Sequence, residues 1–382
     1  MARPLPRSRL TPVVVASGFD VAFAGPDDEA DIRRLLAETP LGGAIGLAFT
    51  REPNAFASDV GLADRHAFVV ARERKGGRLV GLAERTVFEA WIGGQVRLLP
   101  YLGALRLAPS VRGRISVLRR GFDLLRGLAR PDEYPFALTS VTADNHAALR
   151  LLTRGLPGLP TYRPIGDFST FALRPRRDSR ARAAAAPLGP DDLGDLARFL
   201  DATLRRRPFA FAWREETLRR LFAAGVDPDD VLVLRRDGRI AGAIVVWDQR
   251  ARRQTIVARL PRPLRLARPV ANLVAPLLGR PRLPREGEVL AQGTLTALAL
   301  ADDADADGFE TLLAAGLDRA REKGLDVAVL GLPTTHPWRA MVRAGRRGIE
   351  YRTRLHLAHW PEGREAVGGI AADGAFPETG VL

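Results

Sequence analysis

The residues best placed to do chemistry lie in one block, LRLAPSVRGRISVLRR, from Leu105 to Arg120. An apolar, strand-like run breaks at Pro109, and an amphipathic helical pattern starts after Arg114, so Arg112 and Arg114 stand in a loop at a helix start. Unbonded first-turn N–H groups, the positive end of the helix dipole and two guanidinium groups together suit an anion such as a pyrophosphate. The dipole alone contributes only ~0.3–1 kcal/mol, so several donors must act together. His146 follows Asn145 at the end of a second apolar run and is an acid or base candidate, although a histidine at a helix start also serves as a cap. Tyr101 and Tyr162 are further proton donors, with core packing as the competing role. The sequence has no cysteine, which removes thiol nucleophiles, disulfides and thiolate metal sites together. Asp302, Asp303, Asp305 and Asp307 are spaced like part of a calcium loop, but no glutamate closes the pattern. An acidic helix start is the simpler account, and no metal is expected.

The elements that carry these residues follow from periodicity. Ile32, Leu35 and Leu36 behind the acidic opening Asp27, Asp28, Glu29 predict a first helix. His66 to Glu73 and Arg78 to Trp91 read as strands joined by the Lys75-Gly76-Gly77 turn, and Gly93-Gly94 leads into a third strand ending near Pro109. Leu118, Phe122, Leu125 and Ala129 then recur at helical spacing. Phe136 to Asn145 reads as a buried strand, HAALRLLTRG as a short helix closed by Gly155, and TYRPIGDFSTFAL as a final hairpin.

The second half repeats this order. PLGPDDLGDLARFLDATL corresponds to AGPDDEADIRRLLAETP, and DVLVLRRDGRIAGAIVVWD to HAFVVARERKGGRLVGLAER, with Ala241-Gly242 falling on Val80-Gly81. GTLTALALADDADADGFETLLAAGLDRA and GLDVAVLGLPTTHP match the third strand with its helix and the strand after it. Four blocks in one order indicate a duplication. The expected organisation is a flexible segment at 1–18, a first domain at 19–174, a linker at 175–187, a second domain at 188–360 and a flexible tail at 361–382. The second domain carries an insertion at about 255–285, apolar, proline-punctuated and rich in arginine, read as a helical excursion packed between the halves, with a surface-seeking or substrate-capping segment as the alternative.

The whole order, with LRLAPSVRGRISVLRRGFDLL followed by SVTADNHAALRLLTRG, resembles the GNAT acetyltransferase superfamily. The resemblance implies an α/β fold of two tandem GNAT-like domains, each a mixed, mostly antiparallel central sheet flanked by helices. It implies acetyl-CoA, or another acyl-CoA, as co-substrate. Leu105 and Leu107 would present backbone to pantetheine and the acetyl group. Arg112, Gly113, Arg114 and Ser116 would surround the pyrophosphate, and Asn145 would contact the CoA arm. Glu84, on the strand before the cofactor strand, falls where this fold often places a base. Ile115 and Val117 stand where the motif has small residues, and Leu152 where a tyrosine often serves as general acid. N-acyl transfer requires a deprotonated amine, a polarised thioester carbonyl and a proton for the thiolate. Glu84, His146 and Tyr162 are the catalytic candidates. The second half has ADDADADGFE in place of the basic loop and repels a pyrophosphate, which predicts one cofactor site, with the second half shaping the acceptor pocket. Thr334, Thr335 and His336, in the places of Asp144 to His146, would contribute to it. Phe49, Phe56, Phe209, Phe211 and Trp213 line a pocket or fill a core.

The expected activity is therefore transfer of an acetyl group to the amine of a small molecule or aminoacyl acceptor. A catalytically inactive GNAT-like binding or scaffold protein and an aminoacyl-tRNA-dependent transferase are the alternatives. The net charge of +14 favours an acidic partner, yet only Lys75 and Lys323 are lysines among 58 basic residues. Such a skew follows from composition rather than from selection for phosphate binding, so no dedicated nucleic-acid role is expected. The absence of a long apolar run and of cysteine predicts a soluble, cytoplasmic chain without a transmembrane segment.

Overall fold

The computed structural model describes residues 14–16, 18–42, 45–57, 62–278, 280–345, 348–371 and 374–381. Most of the expected flexible segment at 1–18 lies outside the described residues. The first half runs β1 (Val14–Ala16), β2 (Phe19–Phe23), α1 (Glu29–Glu38), β3 (Gly46–Thr50), β4 (Arg65–Glu73), β5 (Leu79–Ile92), β6 (Gln95–Leu107), α2 (Ile115–Gly127), β7 (Phe136–Thr142), α3 (His146–Leu152) and β8 (Thr161–Leu173). The second runs α4 (Ser179–Ala184), β9 (Ala185–Pro187), α5 (Leu193–Leu204), α6 (Glu215–Ala223), β10 (Val231–Arg236), β11 (Arg239–Trp247), β12 (Gln254–Arg259), α7 (Arg262–Val274), β13 (Gln292–Leu300), α8 (Ala306–Glu322), β14 (Val327–Pro333), α9 (Pro337–Gly345), β15 (Ile349–His359) and α10 (Arg364–Gly368).

Thirteen strands form one sheet in the order β1-β2-β4-β5-β6-β7-β15-β8-β14-β13-β11-β10-β9. Within it only β6–β7 and β13–β14 pair in parallel. The order reads as two copies of one lobe related about the β15–β8 seam, with the last strand of each copy exchanged. β15 pairs with β7 of the first lobe, and β8 pairs with β14 of the second. The expected hairpin at 161–173 is instead this single long strand, because its partners come from the other half of the chain. The expected linker at 175–187 carries α4 and β9, and β9 adds to the edge of the second lobe through Ala186–Val233.

Apolar periodicity explains the layers. Ile32, Leu35 and Leu36 of α1 are buried against Phe68, Val70 and Leu82 on one face of the first lobe. Val117, Leu118, Phe122 and Leu125 of α2 are buried against Val69, Leu102 and Ala137 on the other. The run Phe209, Phe211, Trp213 is at most 2% exposed, so it fills the core rather than lining a pocket. The tail expected to be flexible at 361–382 is packed in its described residues, with Ala375 and Val381 buried.

The insertion divides into two parts. β12 pairs with β3 of the first lobe in a separate two-stranded sheet. Helix α7 buries none of its side chains, so it is not packed between the halves as expected.

Candidate functional site

Strands β6 and β7 pair at Tyr101–Leu138, and the Thr139 hydroxyl donates to the Leu102 carbonyl at 2.7 Å. Beyond that point they part. A bulge lies where Glu84 of β5 faces Gly103, and Ala104 has φ of 47°. A side chain at Gly103 would place its Cβ 2.8 Å from the Tyr101 ring, so glycine is required for that ring to lie over the backbone. The Ala108 amide donates to Val80, and Arg106 faces Leu82. Alternation along the strand therefore turns the backbone groups of Leu105 and Leu107 toward the gap between β6 and β7.

The gap runs up to the start of α2. Val111, fully buried, anchors the loop, while Arg112, Gly113, Arg114 and Ser116 are exposed. Gly113 has φ of +82°, a conformation that costs glycine little. The Arg114 N-cap makes no side-chain capping bond, and the Ile115 and Val117 amides donate to the Gly113 and Arg114 carbonyls at 3.0 and 3.1 Å, which leaves the Gly113 and Ser116 amides open to a ligand. Among the described residues Arg112 and Arg114 have no carboxylate partner, in contrast to Arg120 and Arg126 further along the same helix. Val117, at one of the positions where a small residue was expected, is 3% exposed and turns into the core, so its bulk lies away from the loop amides.

On the α1 face, beside the bulge, lies a polar cluster the sequence shows only in part. Arg51 donates to both oxygens of Glu84, each at 2.5 Å. His66 Nε2 lies 2.7 Å from Glu84 Oε1, and the two side chains are 5% and 6% exposed. Burial pushes the Glu84 carboxyl up, but the Arg51 charge and the hydrogen bonds from His66 and Arg51 outweigh it and hold it well below the usual carboxylate range. Glu84 is thus an anchored anion and a poor base, which corrects the role expected for it. Arg106 lies near the same charges. Burial and the repulsion of Arg51 lower its guanidinium to about 10, and its Nε is buried without a partner. The Tyr101 hydroxyl reaches Ser140 of β7 at 2.9 Å, bridging the strands where they separate. Burial raises its pKa, so it keeps its proton.

His66 escaped the sequence reading. It faces Thr86 while Phe68 faces Glu84, so His66 and Glu84 are diagonal neighbours on one face of an antiparallel pair. That offset was available once the hairpin register was fixed. Arg51 had no local signal, because it follows β3 and is brought to the site by the second half. Gln254 of β12 accepts from Thr50 at 3.1 Å and from the Glu52 amide at 2.9 Å, which fixes the backbone on both sides of Arg51.

The remaining candidates fall elsewhere. Asn145 caps α3, its Oδ1 accepting from the Ala148 amide at 3.1 Å. His146 is exposed at the start of that helix, and no hydrogen bond, ion pair or ring contact joins it to the Glu84 cluster. Tyr162 is a core residue packed with α2, on the face opposite Glu84, and burial raises its pKa. It is not placed to serve as the catalytic acid. Among the described residues no group of three or more His, Asp or Glu side chains is arranged to hold a metal.

A shallow apolar pocket, open to solvent, lies under α2 and is lined by Val69, Gly81, Leu105, Leu107, Gly121 and Phe122 among others. A second, more polar one, lined by Asp167, Thr334 and Thr335, sits where β14 meets the exchanged strands.

The second lobe repeats the geometry and closes it. β13 and β14 pair up to Leu295–Leu330 and then part, with a bulge at Ala297, whose φ is 50°. There the Ala297 amide donates to Glu378 Oε2 at 3.0 Å, Gln249 donates to the Gly380 carbonyl at 2.7 Å, and residues 374–381 fill the gap. Asp305 caps α8 through the Gly308 amide at 3.0 Å, the acidic helix start expected from the sequence. His336 lies 3.5 Å from Asp303, which also pairs with Arg207, so it serves a local ion-pair network.

A bulged strand, a parallel neighbour that splays from it and a basic loop opening the next helix define the GCN5-related N-acetyltransferase, or GNAT, fold, present here as two tandem copies. Solved structures with the same architecture span nearly the whole chain. N-myristoyltransferase of Saccharomyces cerevisiae with bound myristoyl-CoA matches with a TM-score of 0.58 at 12% identity, over 91% of this chain and 84% of that one. A GCN5-related N-acetyltransferase from Sphaerobacter thermophilus matches at 0.53 and 15% identity, over 90% and 96%. A GCN5-related glucosamine N-acetyltransferase region of a fungal β-N-acetylglucosaminidase matches at 0.56 and 12%, over 90% of this chain and 38% of that one. No family model matches the chain, and no curated protein matches it in sequence. Among the described residues no helix is long and apolar enough to cross a membrane.

Proposed function

We propose that the chain is an acyl-CoA-dependent N-acyltransferase with one cofactor site, in the first lobe. The observation that carries this reading is the open gap between β6 and β7, leading without interruption to the unpaired Arg112 and Arg114 at the start of α2. The gap in the second lobe is filled by its own chain and ends at an acidic loop. The loop amides with Arg112, Gly113, Arg114 and Ser116 hold the pyrophosphate. Leu105 and Leu107 pair with pantetheine, and Asn145, besides capping α3, borders the CoA arm.

The acceptor is an amine of a small molecule or aminoacyl group, entering from the α1 face. His66, oriented by Glu84, takes the ammonium proton, directly or through one water. The free amine attacks the thioester carbon, and the developing oxyanion is stabilised by the Leu105 amide beside the bulge. As the carbon–sulfur bond breaks, Tyr101 donates its proton to the thiolate, and the proton lost by the new amide nitrogen returns to the Tyr101 oxygen. Acetyl-CoA is the reference donor. The chain works without a metal in this scheme and sits in the cytoplasm, where acyl-CoA is available.

Titration of CoA and acetyl-CoA by calorimetry tests the reading. Binding that disappears in Arg112→Ala/Arg114→Glu supports it, and absence of binding to any acyl-CoA overturns it. Leu152 in place of the usual tyrosine and the locked Glu84 favour one second reading, a GNAT-like binding protein, which predicts CoA binding with no transfer to any amine.

A further inference from the structure

Helix α7 is sided in an unusual way. Its inner face is small and polar, with Asn272 exchanging two hydrogen bonds with the Leu283 backbone, 3.0 Å to the carbonyl and 2.7 Å from the amide, and Ala275 buried beneath it. Arg174 adds a bond of 2.9 Å to the Pro276 carbonyl. The helix is thereby fixed to the body through its small side chains. Its large ones point out. Leu266, Val270, Leu273 and Leu277 are 80%, 67%, 78% and 87% exposed. Spaced at four, three and four residues, they form one stripe along the helix.

Exposed leucines scattered singly need no explanation, but four on one stripe of a fixed helix do. Their surroundings indicate what covers them. From Gln254 to Arg285 the chain contains seven arginines and no aspartate or glutamate. Arg262 and Arg265 flank the stripe at the start of α7, and Arg268, in the next turn, is half-buried on the opposite side. Arg262 and Arg268 have no carboxylate partner among the described residues, and Arg265 has only a loose one, 3.6 Å from Glu286. A helix with an apolar ridge and a predominantly cationic margin matches the interface of an anionic lipid bilayer. There the leucines enter the acyl boundary while the arginines remain among the phosphates.

We infer that α7 docks the protein on an anionic membrane surface, with Leu266, Val270, Leu273 and Leu277 inserted and Arg262 and Arg265 at headgroup level. The proposal does not depend on acyl transfer. It does have a geometric consequence for the first lobe. β12, which leads directly into α7, also pairs with β3 and holds the segment bearing Arg51. The docking helix is thereby connected, through β12, to the segment that bears Arg51.

Flotation of the full chain with vesicles tests this. Phosphatidylcholine vesicles containing about a quarter phosphatidylglycerol are compared with pure phosphatidylcholine. The expected result is at least tenfold tighter binding to the anionic vesicles, weakened by salt. Leu266→Gln/Leu273→Gln/Leu277→Gln keeps the charge constant and is expected to lose at least tenfold in affinity. Its circular dichroism and melting should be unchanged, since these side chains touch little of the protein. Binding equal to wild type in that variant would reduce the effect to the net charge of the chain and overturn the proposal. So would the absence of binding to anionic vesicles. A wild-type dimer that the triple variant dissociates, with no vesicle affinity in either, would assign the stripe to a second copy of the chain instead.

Discussion

His66 and Glu84 meet across neighbouring strands, Nε2 to Oε1 at 2.7 Å, with the other side of the carboxylate gripped by Arg51. The arrangement separates two roles that a lone glutamate would have to combine. In the proposed mechanism Glu84 remains ionised and fixes the ring, and the imidazole is the group that accepts the proton.

His66→Ala is expected to lower turnover by roughly 10²–10⁴-fold with CoA affinity preserved, as removal of a general base does. Glu84→Gln is expected to lower turnover less and to shift the pH–rate profile, because the ring loses its anionic partner. A profile of kcat against pH for both variants checks the order. Equal loss in CoA binding and turnover would assign the pair to folding.

The same carboxylate predicts a stability change with pH. Its folded pKa lies below the unfolded value, so its contribution is fully present above about 4.5 and is lost as pH falls through the folded pKa. Chemical denaturation at neutral pH should show Glu84→Gln destabilised by about 3–5 kcal/mol, since Arg51 is left without its buried partner. The gap between variant and wild type should narrow as the pH is lowered toward 3.

Glu378 runs in the opposite direction. Burial raises its pKa, partly offset by bonds from the Ala297 and Gly380 amides, so ionisation works against the folded state as pH rises above the unfolded value. Glu378→Gln, which keeps an acceptor for the Ala297 amide, is expected to be neutral or stabilising at pH 7. Glu378→Ala leaves that buried N–H without a partner and should cost about 1–3 kcal/mol. Thermal melts of the two variants separate the effects.

The pocket under α2 borders Leu105 and Leu107, and Gly121 opens onto it with its nearest neighbour, Val69, 3.9 Å from where a Cβ would stand. Gly121→Leu places a side chain in that space. If the acyl chain of the donor extends there, the variant should lose activity with medium-chain acyl-CoA while retaining it with acetyl-CoA. A chain-length series on wild type and variant reads this directly.

Much of the first lobe was legible in the sequence because its signals are local. Turn glycines and period-two alternation fixed β4, β5 and β6, and helical spacing fixed α1 and α2. The basic loop could be read for the same reason: strand, break and helix are contiguous. The polar cluster around Glu84 could be read only in part. Glu84 was visible, but its state depends on Arg51, which reaches it through the long-range pairing of β3 with β12. No periodicity within either segment encodes that contact. Tyr162 misled because a tyrosine near the end of a lobe carries the same local signal whether its strand stays at home or crosses over. The filling of the second gap by residues 374–381 was hidden for a similar reason. Glycine, proline and alanine in that stretch suggest a loose tail, and only the bulge at Ala297 gives Glu378 a buried amide to bind.

The crossing of β8 and β15 sets an order on assembly. While the first half is being synthesised, β7 has no partner on its outer side, since the strand that covers it lies near the far end of the chain. The open edge presents unpaired backbone groups, a template for wrong pairing. Native closure of both lobes is a single late event coupled to completion of the polypeptide, and neither lobe expressed alone would possess its own final strand. Mixing separately produced halves should therefore restore structure that each lacks by itself.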